Sequence, residues 1–260
     1  MKKVIAICLL VILLIFPYSA YAESEDEGRI AEIIDDSFQD LKNFYSGENL
    51  IKLAIGLGVS GILANTSADQ DFRQWYQDEI RSGETDDFEK AWEPFGDLKM
   101  TAPAYLGAVV IGELTKDTQL GSVIGEWGWR STRTLFIGAP QMVFWQYALG
   151  AQRPTEGDSD WRFYDDNNSV SGHSFLGAIP FLSAAKMVDN FYLKSAFYAA
   201  STFPGISRIN KDKHYLSQVM LGWWIAYLSA SSVDKTEEQR VVITPALLPG
   251  GAGIKVTARF

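Results

Sequence analysis

The chain is poor in cysteine, in histidine and in positive charge. Its one cysteine, Cys8, lies inside an apolar N-terminal run, so everything after that run lacks a thiol. That excludes a disulfide framework, a thiolate nucleophile and a cysteine-based zinc site. Lysine and arginine number 23 against 32 aspartates and glutamates, a formal charge of −9. A chain this acidic does not as a whole seek nucleic acid or an anionic lipid surface. No Gly-Lys-Ser/Thr follows Gly56, Gly58 and Gly61, so these glycines form no nucleotide phosphate loop. Internal repeats and low-complexity stretches are also missing.

Residues 1–22 read as a secretory signal peptide, with Lys2 and Lys3 as its basic start, Val4 to Phe16 as its apolar core and Ala20-Tyr21-Ala22 as its cleavage site. The alternative is an uncleaved anchor, against which stand the short core and the acidic segment that follows. Cleavage leaves 238 of the 260 residues and takes the charge from −9 to −11, because Lys2 and Lys3 are its only charged residues. That length suffices for one sizeable domain. The expected location is the cell envelope, in the periplasm or associated with a membrane.

Helical periodicity dominates what remains. Ile30, Ile33, Ile34, Phe38 and Leu41 recur at helical spacing and predict an amphipathic helix from about Ile30 to Tyr45. A second helix runs from Asn49 to about Thr66, and its glycines suit close packing. Residues 68–92 carry an apolar face of Phe72, Trp75, Tyr76 and Ile80, and read as a surface helix plus a loop around Gly83, placed to cap a site. Pro94 to Asp97 is a turn. Helices are predicted over Thr101–Leu114 and Leu120–Leu149, the second interrupted or kinked at Pro140. After a polar loop come three more: Ser171 to about Val188, Phe191 to Phe203 ended by Pro204-Gly205, and Tyr215 to Val233. The tail changes character, with Val241–Leu248 and Ile254–Phe260 flanking Pro249-Gly250-Gly251 as a short β-hairpin. The fold class is therefore all-α, a helical bundle with a small C-terminal hairpin.

Residues 134–152, 167–185 and 215–233 contain no charge, and each run is 19 residues long, enough to span a bilayer. They also carry Gln141, Gln146, Asn167, Asn168, His173 and Gln218, and the mean hydropathy is −0.03. Buried core helices of a soluble or peripheral domain are the preferred reading over an integral membrane protein.

Only two histidines occur, His173 and His214, and each stands near an arginine or a helix-start signal. Arg153 and Arg208 supply planar, always-charged forks suited to phosphoryl oxygens. Ser171-Gly172-His173 precedes an apolar run and reads as a helix start whose amides can cradle an anion. A neutral imidazole at His214 suits attack on phosphorus, and His173 suits protonation of the leaving oxygen. This chemistry requires no metal and no cofactor.

Arg153-Pro154, Ser171-Gly172-His173, and Ser207-Arg208 with five residues before His214 together resemble the three-part signature of the type 2 phosphatidic acid phosphatase superfamily, which also contains vanadium haloperoxidases. The resemblance covers roughly residues 100–233. It implies an arrangement of 23–99 as N-terminal helices, 100–235 as the phosphatase-like core and 236–260 as the tail. It also implies that Arg153, Arg208, Ser171 and Gly172 hold phosphate, that His173 is the acid and that His214 is the nucleophile. Three positions depart from the pattern: Gln146 stands where the family has lysine, Val170 where it has proline, and Gln218 where it has the aspartate that supports the nucleophile. Gln146 stays among the phosphate-binding residues but brings no charge, and Gln218 stays among the catalytic ones, because its amide oxygen can still accept the imidazole N–H and set its tautomer.

Three functions stay open on these residues: a hydrolase releasing phosphate from a phosphomonoester or diphosphate, especially a lipid; a catalytically weakened envelope binding or scaffold protein; and a vanadate-dependent haloperoxidase. The aromatic residues Trp161, Phe163 and Tyr164, in the loop between the first two blocks, are placed to form the substrate mouth.

Overall fold

A computed structural model describes the backbone of residues 25–248 and 251–258 and the side chains of residues 33–239. The expected signal peptide and Cys8 lie outside the described residues. Among the described residues the chain forms nine α-helices: α1 (Glu25–Phe44), α2 (Gly47–Ala64), α3 (Ala68–Trp75), α4 (Gly83–Trp92), α5 (Leu98–Leu114), α6 (Gln119–Leu149), α7 (Gly172–Lys186), α8 (Phe191–Asn210) and α9 (Leu216–Arg240). A π-helical turn, Tyr76–Ile80, extends α3, and a 3-10 turn, Glu93–Gly96, joins α4 to α5.

The helices start where side chains satisfy their free N–H groups. Ser46, Ser82, Asp97, Thr118, Ser171 and Asn190 each accept a hydrogen bond from a first-turn amide. Ser82 and Thr85 do so reciprocally, so the segment around Gly83 begins α4 and is not the loop expected there.

α9 is the central helix, packed against α1, α2, α6, α7 and α8. Leu221, Ile225 and Leu228 of α9 meet Phe175, Ile179 and Leu182 of α7, Ile137 of α6, and Phe44 and Leu53 of the first two helices in one buried cluster. Each such side chain contributes about 1.5–3 kcal/mol by leaving water. Buried serines do not interrupt this core, because Ser229 and Ser232 return their hydroxyls to the Ile225 and Leu228 carbonyls at 2.8 and 2.7 Å. The uncharged run 215–233 is thus a core helix. The runs 134–152 and 167–185 each include loop residues outside a helix. The one described helix long and apolar enough to cross a membrane, by length and composition, is instead α2, of which 22% is buried.

One proline expectation is corrected: α8 continues past Pro204-Gly205 to Asn210. At Pro140 α6 is one helix, so of the two alternatives expected there the interruption is ruled out. A proline inside a helix removes one hydrogen bond and costs roughly 3 kcal/mol where nothing compensates. At Pro204 the compensation is tertiary: its ring fills the space left by the absent Cβ of Gly177, which would come within 2.7 Å of the proline Cγ. Ser207 in addition donates to the Pro204 carbonyl at 2.7 Å.

Candidate functional site

The second block is a helix start. Ser171 is the N-cap of α7, and its hydroxyl accepts from Ser174 N–H at 3.3 Å. Its own N–H donates to the Gln218 carbonyl at 2.9 Å, and the residue is fully buried. Gly172 and His173 then occupy the first two helical positions, whose N–H groups have no carbonyl within the helix to bond. This close approach of α7 to α9 depends on Gly222, where a Cβ would collide with the Ser171 carbonyl.

The third block spans the end of α8 and the tight turn into α9. Asp212 adopts a left-handed conformation at φ 54°, and Lys213 N–H closes the turn on the Arg208 carbonyl at 2.9 Å. The segment expected to cap the site grips this turn from outside. Arg73 forms a two-pronged ion pair with Asp212 at 2.7 and 2.6 Å, Gln77 donates to the Ile209 carbonyl at 2.8 Å, and Asn210 donates to Asp86 at 2.8 Å. Asp69, fully buried, accepts from the Ser217 N–H at 2.9 Å and from the Ser217 hydroxyl, which fixes the first turn of α9.

That turn carries Gln218, and His214 lies in the bend just before it. His214 Nδ1 and Gln218 Oε1 lie 2.8 Å apart, and the same oxygen accepts from Tyr215 N–H at 3.1 Å. The Gln218 amide cannot be the other way round, since its Nε2 donates to the Gln152 carbonyl at 2.6 Å. An acceptor facing Nδ1 means that the ring proton sits there. Nε2 of His214 therefore carries the lone pair.

The first block is tied to the other two by its backbone and its glutamine. Gly150 ends α6 in a left-handed conformation at φ 61°, where a Cβ would also strike the Arg162 carbonyl. Gln152 next to it receives the Gln218 amide. Gln146, expected beside the phosphate, donates its Nε2 to the Val170 carbonyl at 2.8 Å and holds the segment leading into Ser171. The arginine that ends this block differs. Arg153 Nε is buried without a hydrogen-bond partner among the described residues, and no carboxylate among them pairs with the guanidinium.

Charge and burial act together on the histidines. Burial, with further contributions from Arg153, Arg208 and His173, pushes the His214 pKa down to about 3. Burial again, then Arg208, brings His173 to about 4, partly offset by Glu93 and Asp97. These mutual effects mean that both histidines and both arginines share one electrostatic neighbourhood. Each ring is neutral in the absence of a bound anion, and a phosphoryl group would reverse the sign of the local field.

The other basic residues are engaged elsewhere. Arg133 is buried in a cluster with Asp36, Asp40 and Glu237 that joins α1, α6 and α9, and Arg130 pairs with Glu126 and Asp234. Lys211 stands at the site's edge, ion-paired with Glu89 at 3.0 Å and with Glu93 at 2.6 Å. In the polar loop Trp161 packs on Gly61 of α2, while Phe163 and Tyr164 are exposed.

Reading from sequence misses Asp69, Arg73, Gln152 and Glu93. Each acts across 66 or more residues of chain. No spacing rule connects partners so distant. The nearest available signal was the acidic, aromatic character of 68–92, which marked the capping segment without naming its contacts. Comparison with protein-family models, curated proteins and solved structures gives no match for this chain.

Proposed function

We propose that this chain is a hydrolase of the type 2 phosphatidic acid phosphatase kind, acting on a phosphomonoester or diphosphate in the bacterial cell envelope. The observation that carries the reading is the pair of bonds made by the Gln218 amide, which fixes a neutral His214 with its Nε2 lone pair free beside two arginines. A structural histidine in a core would need no such tautomer control next to an arginine without an ion pair.

The reaction balances with these residues alone. Arg153, Arg208 and the amides at the start of α7 hold the phosphoryl oxygens. His214 Nε2 forms a bond to phosphorus as the bond to the leaving oxygen breaks. The electron pair of that bond leaves on the oxygen, which takes a proton from His173. The His173 acid is available because the bound dianion raises its pKa. Water then attacks the phosphohistidine while His173 takes back a proton, which releases phosphate and restores neutral His214. Throughout, Nδ1–H remains bonded to Gln218.

A lipid phosphate is the favoured substrate. An apolar cavity of about 380 Å³, lined by residues including Ile55, Val59, Ile206, Leu216, Trp223 and Trp224, opens beside the third block. Leu216 follows His214 by two residues, so a hydrocarbon chain there suits a headgroup at the histidines. We also infer that the tail pairs as an antiparallel hairpin, supported by extended backbone over Val241–Leu248 and Gly251–Ala258 with Val241 opposite Ala258. Export by a signal peptide over 1–22 belongs to the same proposal.

The test is phosphate release, without added metal, from lipid and soluble phosphate esters by the wild type and His214→Ala. Release lost in the variant supports the reading. Equal release by both, or none by either with both folded, sinks it.

A second reading, a binding protein with little catalysis, is favoured by Gln146, whose amide is spent on Val170 and adds no charge to the phosphate cage. Phosphate binding without turnover would select it.

A further inference from the structure

Glu93 lies in the 3-10 turn between α4 and α5, and its carboxylate is divided between two cations of the third block. Oε1 accepts from Arg208 at 2.9 Å, and Oε2 accepts from Lys211 Nζ at 2.6 Å. We propose that Glu93 is an internal anion that masks the site: its carboxylate fills the place of a substrate oxygen on Arg208, and a phosphate ester binds by displacing it. The inference rests on the phosphatase reading and adds regulation of that same pocket.

Several observations converge on this mask. The Arg208 side chain is only 10% exposed, and its Nε has no partner among the described residues. The Glu93 bond is thus the one ion pair Arg208 makes among those residues. An arginine meant to be a purely structural partner would ordinarily be saturated at this depth. Instead its buried Nε has no partner, in the field that acts on both histidines, and another nitrogen is held by an acid from a different segment.

The mounting of Glu93 decides which part moves. Its neighbours Trp92 and Phe95 both pack on Phe181 of α7, with ring centroids 5.6 and 5.3 Å apart, and Trp92 also meets Phe203 of α8 at 4.8 Å. Gly96 lies so close to His173 that an added Cβ would come within 2.7 Å of the histidine Cβ. The backbone of the turn is therefore fixed against the site. The Glu93 side chain, 35% exposed and carrying three rotatable bonds, is the free element.

Lys211 gives the displaced carboxylate somewhere to stay. It is 37% exposed, bridges Glu93 and Glu89, and can follow Glu93 outward while keeping both partners. Opening the mask consequently breaks one contact, Glu93 to Arg208, and leaves the rest of the acidic edge intact. The attraction of both cations holds the Glu93 carboxyl down at about 2, so the mask carries its charge under all ordinary conditions.

Binding of inorganic phosphate to the full chain, followed by calorimetry in the wild type, Glu93→Gln and Arg208→Ala, tests the mask. Glu93→Gln keeps the shape and removes the competing charge, so it should bind phosphate roughly tenfold more tightly, the equivalent of about 1.4 kcal/mol. Glu93→Ala should move in the same direction, and Arg208→Ala should lose binding. Folded Glu93→Gln and Glu93→Ala proteins that bind phosphate no better than the wild type overturn the mask alone and make Glu93 a support that orients Arg208. Absence of phosphate binding in the wild type and in both Glu93 variants overturns the phosphatase reading and the mask with it.

Discussion

His214 Nδ1 lies 2.8 Å from Gln218 Oε1, the histidine in the turn before α9 and the glutamine in its first turn, while the other end of that amide grips the Gln152 carbonyl at 2.6 Å. A carboxylate at this position could accept from the imidazole but could not donate to Gln152. Glutamine performs both tasks and adds no negative charge beside a buried ring. It thereby favours a neutral imidazole at His214, the proposed nucleophile, at the expense of the support a carboxylate gives to a developing imidazolium.

Gln218→Leu separates these tasks from simple packing. Loss of tautomer control should lower kcat by on the order of 100-fold with KM little changed, in line with the usual contribution of positioned acid–base groups. The unpaired Gln152 carbonyl and His214 N–H should cost about 1–3 kcal/mol of stability. Steady-state kinetics beside urea unfolding would check both, and an unchanged kcat would remove Gln218 from the site.

Stability should fall on acidification well before the carboxylates titrate. His214 and His173 have folded pKa values of about 3 and about 4 against an ordinary 6.5. Above 6.5 neither the folded nor the unfolded chain binds a proton at these rings, so they impose no pH dependence. Below it the unfolded chain takes up protons that the folded site refuses. Stability then declines toward the folded values, by up to about 1.4 kcal/mol per pH unit for the buried His214. Unfolding midpoints measured from about pH 7 to about pH 4 should show this slope. His214→Asn should remove the His214 share of the slope and leave that of His173, and an equal slope in the variant would refute the assignment.

Arg153 and Arg208 should separate affinity from stability differently. Arg153 has no ion pair among the described residues and its Nε is buried, so Arg153→Ala removes an uncompensated charge and should not lower stability. It should lower kcat/KM by on the order of 100-fold or more, since a charged hydrogen bond to the phosphoryl group is lost. Thermal unfolding with kinetics in parallel measures the two effects. A strongly destabilised Arg153→Ala protein would make the arginine structural.

Asp69→Ala should cost about 1–3 kcal/mol, because the buried Ser217 N–H and hydroxyl lose their acceptor at the first turn of α9. Asp69→Asn, which keeps one acceptor oxygen, should recover part of that loss. Identical denaturation midpoints for wild type and Asp69→Ala would show that the start of α9 is held by other contacts.

The sequence by itself determined the elements with local causes. Apolar residues at helical spacing specify the bundle, and Ser171 starts α7 as its N-cap. The sequence also singled out both histidines and both arginines as one candidate set, and the fold brings them into one electrostatic neighbourhood. Tertiary structure alone decided that Pro204 continues α8, that Gln146 bonds the Val170 carbonyl, and that Asp69 holds Ser217. It also set Glu93 on Arg208 across 115 residues of chain. Such contacts leave no periodic trace, since the partners meet only after separate helices have buried their apolar faces against one core. The Gly177 hollow that accepts Pro204 exists only once α7 and α8 are packed, which is why a helix-ending signal in the sequence is overridden in the fold.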